Sequence, residues 1–254
     1  MTEKDLKIEV FRGTSKEELS SREKFFHLFK ECPIPDFEFL SNLGLFIKRQ
    51  DLSRIFVMHE LYKKILDVNG IIIEFGVRWG QNLALFESFR GIYEPYNYTR
   101  KIIGFDTFSG FPSIHPKDGY SEIIKPGAYS VTKDYDIYLE KILSFHESES
   151  PIPHIQKFQL IKGDAMIELK KYLEEHPETI VALAYFDFDL YEPTKKCLEL
   201  IESHLTKGSV IGFDELNYSD YPGETLALKE VFGLNKYKIH RFNFSPSESY
   251  ITID

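Results

Sequence analysis

Four acidic side chains follow two apolar segments of the chain, at the point where each segment ends. Asp187 and Asp189 follow one segment, and Asp214 and Glu215 follow the next. If both segments are neighbouring parallel strands, the four carboxylates meet in one cleft, where like charges destabilise the fold unless a cation compensates. Oxygen ligands alone favour a hard cation, so the pattern indicates Mg²⁺, with Mn²⁺ or Ca²⁺ as an alternative. Helix caps or solvated carboxylates are the simpler interpretation of the same residues.

A glycine-containing turn follows an earlier apolar segment and places an acidic residue before two glycines, Glu74, Gly76 and Gly80. Glycines allow close backbone approach to a ligand, and the N-terminus of the next helix offers N–H groups to an anion. The G-x-G-x-x-G spacing of dinucleotide sites is absent, and Glu74 would repel a pyrophosphate but favour an amino group. The turn therefore favours an amino-acid ligand, although such glycines also serve packing alone.

Two further aspartates stand at predicted strand ends. Asp106 follows the second strand, where a carboxylate can accept hydrogen bonds from ribose hydroxyls. Asp164, after Gly163, precedes a helical segment and either caps that helix or contacts an adenine amino group. Capping or turn formation remains the alternative for both residues.

These residues need a sheet that opens at one edge, and the rest of the sequence predicts one. Continuous apolar segments alternate with helical ones, a pattern typical of a parallel sheet covered on both faces. We expect an α/β, doubly wound, mostly parallel sheet with a helical N-terminal extension and an antiparallel last strand. The predicted strands are 71–74, 101–105, 158–162, 181–186 and 209–213, with a terminal pair at 236–242 and 250–253; the predicted helices are 15–30, 54–67, 80–89, 135–145, 165–175, 191–203 and 223–232.

Length and charge limit the functional classes. The chain has 254 residues and a formal net charge of -9, without basic clusters, so nucleic acid and anionic membrane surfaces are unfavourable partners. No apolar stretch reaches the roughly 20 residues of a membrane span, and no apolar leader follows Met1, which predicts a cytoplasmic protein. The aromatic content of 15% suits a ligand pocket or a subunit interface, so a homo-oligomer stays open.

The chain is predicted to form one domain, residues 1–254, with two additions. Residues 1–53 are expected to be the helical N-terminal extension. Residues 112–157 are a long insertion that contains Pro116, Pro126, Gly127 and several tyrosines. Such insertions are often active-site lids, so we predict a mobile cover over the acceptor, with a structural excursion or an oligomer contact as the alternative.

Taken in order, the motifs resemble those of the TylF-type macrocin O-methyltransferase family, which are class I S-adenosylmethionine (SAM) enzymes. The resemblance covers roughly residues 54–240. The specific part is Asp-x-Asp-Leu-Tyr-x-x-Thr at 187–194 with the later acidic pair; Glu-x-Gly-x-x-x-Gly at 74–80, Asp-Thr-Phe-x-Gly-Phe at 106–111 and Gly-Asp at 163–164 fit any class I methyltransferase. Glu215 stands where the family commonly has Asp, and residues 112–157 match none of its motifs.

The resemblance implies a role for each motif. The cofactor-binding residues would be Glu74, Gly76, Gly80 and Asn82 at the methionine end of SAM, Asp106 at the ribose, and Phe108, Gly163 and Asp164 at the adenine. Mg²⁺ would be bound by Asp187, Asp214 and Glu215, while Asp189 would be the general base.

The implied reaction is methylation of a sugar hydroxyl, on a nucleotide sugar, a glycan precursor or a glycosylated metabolite. A metal and a nearby carboxylate suit this chemistry, because a sugar hydroxyl is a poor nucleophile until its proton is removed. The alternatives are a catechol-type O-methyltransferase, which would need a flatter apolar pocket, and a non-catalytic SAM-binding partner protein.

Overall fold

A seven-stranded sheet lies at the centre of the computed structural model, which describes residues 15–121 and 123–254. The strand order is β3-β2-β1-β4-β5-β7-β6. The first five strands pair in parallel, and β7 runs antiparallel to β5 and β6. The strands are β1 (Ile71–Phe75), β2 (Ile102–Asp106), β3 (Phe158–Lys162), β4 (Val181–Phe186), β5 (Leu205–Phe213), β6 (His240–Arg241) and β7 (Ser249–Thr252). The predicted doubly wound sheet with an antiparallel end is confirmed.

Eight α-helices accompany the sheet within the described residues. They are α1 (Lys16–Lys30), α2 (Asp36–Phe39), α3 (Arg49–Lys64), α4 (Gln81–Tyr93), α5 (Tyr135–Glu149), α6 (Ala165–Glu175), α7 (Tyr191–Ile201) and α8 (Gly223–Val231), and a 3-10 helix spans Leu40–Phe46. Helix α3 begins five residues before its predicted start and ends three residues before its predicted end. Strand β5 begins four residues earlier than predicted.

Two apolar layers hold the helices against the sheet. Ile72 faces the layer formed with α3, α4 and α5, whereas the adjacent Ile73 faces the layer formed with α6, α7 and α8. This alternation follows from the strand geometry, in which successive side chains point to opposite faces. Because both faces are covered, strands β1 and β4 are apolar almost throughout, and their buried ends fix where the following loops emerge.

The N-terminal helices pack differently from the rest. No side chain of α1, α2 or the 3-10 helix is buried. Their phenylalanines contact one another instead, as in the edge-to-face pair of Phe29 and Phe46. Residues 15–53 thus form a helical extension, while residues 1–14 of the predicted extension lie outside the described part of the chain. Among the described residues, no helix is both long and apolar enough to cross a bilayer.

Candidate active site

A cavity of about 450 Å³ opens at the carboxyl ends of the parallel strands. This is the size range of small-molecule sites, and the position is where α/β sheets bind ligands. Its lining includes many of the predicted site residues: Gly76, Gly80, Asn82, Asp106, Gly163, Asp164, Asp187, Asp189, Asp214 and Glu215. Ten of the twelve residues predicted from the sequence therefore share one cavity, and the exceptions are Glu74 and Phe108.

Asp187 and Asp214, at the ends of β4 and β5, form an acidic pair with an arginine of α3 between them. Arg54 Nη2 donates to Asp187 Oδ2 at 2.6 Å, and Arg54 Nη1 donates to Asp214 Oδ1 at 2.6 Å. Tyr185 also donates its hydroxyl to Asp214 Oδ1, at 2.5 Å. Burial lowers the pKa of Arg54, but the neighbouring acidic groups, Asp214 foremost, together raise it above its usual range. The predicted compensating cation is thus supplied here by the chain itself.

Asp189 and Glu215 form a second acidic pair in the same cavity. Burial raises the pKa of both carboxyl groups, and the negative charge of Asp189 raises that of Glu215 further. Asp189 has φ 60°, an uncommon backbone conformation for a residue with a side chain. Strain of this kind persists where the surrounding structure over-determines it, as at functional sites. Asp189 is therefore a buried carboxyl group on a strained backbone, at the wall of the cavity.

The donor chemistry suits a hard cation, although this arrangement is not a closed metal site. Among the described residues, no group of three or more His, Cys, Asp or Glu side chains is arranged to hold a metal ion. Asp187 and Asp214 nevertheless bind a single cationic group between them. Glu215 Oε2 is buried and has no hydrogen-bond partner among the described residues. Oxygen donors of the kind that Mg²⁺ prefers lie here, and Arg54 binds two of them.

Glu74 lies behind the cavity wall. Its Oε1 accepts a hydrogen bond from Asn82 Nδ2 at 2.8 Å, while its buried Oε2 has no partner among the described residues. Burial raises the pKa of the Glu74 carboxyl to about 8. A buried, unsatisfied carboxylate oxygen is costly and indicates a missing donor. Asn82 lines the cavity in front of it, so a ligand amino group at this point would meet Asn82, with the Glu74 carboxyl group directly behind.

The packing of the fold itself requires glycine at both positions of the turn. Gly76 has φ +86°, and a Cβ there would lie 2.0 Å from the carbonyl oxygen of Asp187. Gly80 has φ +76°, begins helix α4, and lies against Leu139 of α5. Both glycines are therefore required by close packing, whether or not a ligand is bound.

Asp106 lies in the cavity with its two oxygens held by backbone N–H groups, from Arg78 at 2.7 Å and from Phe108 at 2.5 Å. Burial raises the pKa of Asp106 above its usual range. Phe108 departs from the expectation: its side chain is 7% exposed and lies in the core layer beside α4 and α5, outside the cavity lining. Its φ of 55°, in the left-handed region, directs the ring into the core. Thr107 and Phe111 line the cavity instead.

Asp164 does what the simpler interpretation predicted. It caps α6 by accepting a hydrogen bond from the backbone of Met166 at 2.9 Å. Both residues also line the cavity, next to Gly163. Capping does not prevent the second carboxylate oxygen from contacting a ligand, so its adenine contact stays a prediction.

The segment after β2 is anchored over the site by hydrogen bonds to neighbouring parts of the fold. Asp118 accepts a hydrogen bond from the backbone N–H of Tyr191, the first residue of α7, at 2.6 Å. The Tyr129 and Tyr221 hydroxyls are 2.8 Å apart, and the Arg78 guanidinium lies 4.8 Å from the centre of the Tyr129 ring. The predicted insertion is thus divided into a loop over the cavity and helix α5, which packs on the sheet. Whether the loop moves remains a prediction.

Sequence reasoning missed Arg54 and Arg78 as cavity residues. Arg54 lies on a helix far from the acidic motifs in sequence, and helical spacing carries no information about which acids it meets. Arg78 lies inside the predicted glycine turn, and its φ of 49° is not indicated by its residue type. The only signal for Arg78 in the sequence was its position two residues after Gly76, within the predicted ligand-binding turn.

Comparison with solved structures decides the family. The structure of CalS11, described as a calicheamicin methyltransferase, is 40% identical in sequence and matches with a TM-score of 0.92 over 97% of this chain and 96% of that one. The apo structure of CalS11, described as a TDP-rhamnose 3'-O-methyltransferase, is 38% identical with a TM-score of 0.84 over 97% and 98%. This chain belongs to the CalS11 family of O-methyltransferases. The prediction of a methyltransferase enzyme is therefore confirmed.

The CalS11-family fold extends to more distant proteins. The O-methyltransferase NovP is 16% identical, with a TM-score of 0.55 over 79% of each chain, a likeness that concerns the fold alone. No protein-family profile and no curated protein sequence matches the chain. The narrower TylF-type assignment stays a prediction, whereas membership of an O-methyltransferase family is established.

Proposed function

We propose that this CalS11-family enzyme transfers the methyl group of SAM to a hydroxyl of a sugar, with a nucleotide-linked deoxyhexose as the first candidate acceptor. The observation that carries the proposal is that Asp106 and Asp189 line one cavity in a chain 40% identical to CalS11. The first is a carboxylate suited to ribose, and the second is suited to proton removal. The acceptor class comes from the description of CalS11 as a TDP-rhamnose 3'-O-methyltransferase.

The cofactor is proposed to lie along β1, β2 and β3. We propose that its amino group lies against Asn82 and Glu74; the support is that Asn82 lines the cavity and that the buried Glu74 oxygen behind it has no donor among the described residues. Asp106 would bind the ribose hydroxyls and Asp164 the adenine amino group, both from the cavity wall. An ammonium beside a buried carboxylate is stabilised more strongly than it would be in water, which is why this contact should dominate cofactor orientation.

Asp189 is proposed to accept the acceptor proton. As the new oxygen–methyl bond forms and the sulfur–methyl bond breaks, the hydroxyl proton passes to the carboxylate. Burial raises the pKa of Asp189, which makes its carboxylate a stronger base than that of an exposed aspartate. A carboxylate at this position would also align the hydroxyl, and alignment supplies a large part of the catalysis of a direct displacement.

Mg²⁺, with Mn²⁺ as an alternative, is proposed to be bound by Asp187, Asp214 and Glu215. Bound there, it would lower the pKa of the acceptor hydroxyl. The support is the set of oxygen donors around a cation position already filled by a guanidinium.

The proposal is tested by incubating the enzyme with methyl-labelled SAM and separate panels of nucleotide sugars, free sugars and catechols. Label in a nucleotide deoxysugar supports the proposal, and chelator should suppress that transfer. Label only in catechols would show that the acceptor is an aromatic diol and not a sugar. A cytoplasmic location and a homo-oligomer, both predicted above, do not affect this result.

A further inference from the structure

Arg54 is the counter-ion of two aspartates in the cavity. Its two terminal nitrogens each reach a different carboxylate, Asp187 and Asp214, at 2.6 Å. These carboxylates come from two adjacent strands, β4 and β5, whereas the arginine comes from α3. The guanidinium therefore bridges the two strand ends at the point where the proposed metal would need the same oxygens.

Arg54 and a metal ion cannot both occupy this position. A divalent ion within bonding distance of Asp187 and Asp214 would be only a few ångströms from the guanidinium, and two cations at that distance repel strongly in a partly buried site. The carboxylates need one cation for stability, and the arginine provides it when no metal is bound. Binding of the metal and release of the arginine are therefore linked.

The surroundings of Arg54 allow it to move. Its side chain is 27% exposed, and Glu248 Oε1 lies 3.8 Å from Nη1, just beyond hydrogen-bond distance. The other carboxylate oxygen of Glu248 accepts hydrogen bonds from Ser245 and Ser247, which hold the group in place. Rotation about the flexible stem of the arginine would carry the guanidinium out of the acidic cluster on the side of Glu248, and that carboxylate would keep it paired.

We propose that Arg54 is an exchangeable internal counter-ion, and that a divalent metal binds this enzyme only by displacing the Arg54 guanidinium from Asp187 and Asp214 towards Glu248. The inference rests on the metal site of the proposed function. It assigns Arg54 as a positioning residue that sets metal affinity, so that the acidic cluster remains neutralised when the metal is absent.

The test measures Mn²⁺ binding directly, by electron paramagnetic resonance of free Mn²⁺ and by calorimetry, without SAM or acceptor. Arg54→Gln should bind Mn²⁺ about ten-fold or more tightly than the wild type; ten-fold corresponds to one of the two charge-assisted hydrogen bonds that the metal would otherwise have to break. Arg49→Gln removes the same charge from an exposed position of the same helix and should bind as the wild type does. Asp187→Asn should lose binding in either background.

A second variant, Arg54→Lys, controls for misfolding of Arg54→Gln. Arg54→Lys keeps the positive charge but loses the planar two-pronged contact, so its Mn²⁺ affinity should fall between those of the wild type and Arg54→Gln. Equal affinities in the wild type, Arg54→Lys and Arg54→Gln would overturn the exchange while leaving the proposed methyl transfer and metal site intact. No Mn²⁺ binding by any variant would overturn the metal site together with the exchange, and labelled methyl transfer would then show whether the remaining function holds.

Discussion

The buried carboxyl of Glu74 should make the stability of the cofactor-free enzyme depend on pH in a direction opposite to that of most acids. Its pKa is about 8 in the folded protein, against an ordinary value of 4.5. The folded state therefore keeps a proton that the unfolded state releases, and stability must fall as the pH rises between these values. Glu74→Gln cannot ionise and removes this dependence.

The magnitude follows from the two pKa values. Each pH unit between them costs about 1.4 kcal/mol, and ionisation of the folded state near pH 8 reduces the last part. Between pH 6 and pH 8, the free energy of unfolding of the wild type should therefore fall by about 2 kcal/mol relative to Glu74→Gln. The comparison between pH values removes any constant effect of the buried amide.

Urea denaturation at several pH values measures this difference. Glu140→Gln, which removes a carboxylate at an exposed position of α5, sets the background. A wild-type minus Glu74→Gln difference that stays constant from pH 6 to pH 8 would refute the reasoning, because Glu74 would then ionise alike in the folded and unfolded states.

Three further outcomes are expected. Asp189→Asn should keep SAM binding by calorimetry and reduce kcat about a hundred- to ten-thousand-fold, the range of general-base assistance; normal turnover would assign the base elsewhere. Asp106→Asn should weaken SAM binding by about ten-fold, and unchanged affinity would remove it from the cofactor site. Gly76→Ala should lose about 2 kcal/mol or more of stability in urea, since its Cβ would lie 2.0 Å from a carbonyl oxygen at φ +86°. Gly44→Ala, with open space around its Cβ, is the control, and equal losses would contradict this account.

The arrangement of the acidic residues could be predicted from the sequence because it depends on topology. Carboxyl ends of adjacent parallel strands meet at one edge, so residues that follow β4 and β5 come together whatever the details of packing. Asp187 and Asp214 meet for this reason. The capping role of Asp164 was also visible, because a helix pattern begins at the next residue.

Other parts of the site depend on side-chain direction and tertiary placement. Arg54 reaches Asp187 across 133 positions of the chain, a contact that helical periodicity does not indicate. Phe108 follows Asp106 in an apparently suitable motif, yet a left-handed backbone turns its ring into the core. The anchoring of the loop by Asp118 depends on how α7 meets that loop, which no local pattern specifies.

The most direct test of the central proposal is transfer of a labelled methyl group from SAM to a nucleotide-linked deoxyhexose, measured for the wild type and Asp189→Asn side by side. We expect label in one sugar hydroxyl with the wild type, suppressed by chelator, and a loss of about a hundred-fold or more with the variant, which still binds SAM. Transfer by both proteins at the same rate would contradict the role of Asp189. Absence of label from every sugar, with label in a catechol, would contradict the sugar acceptor.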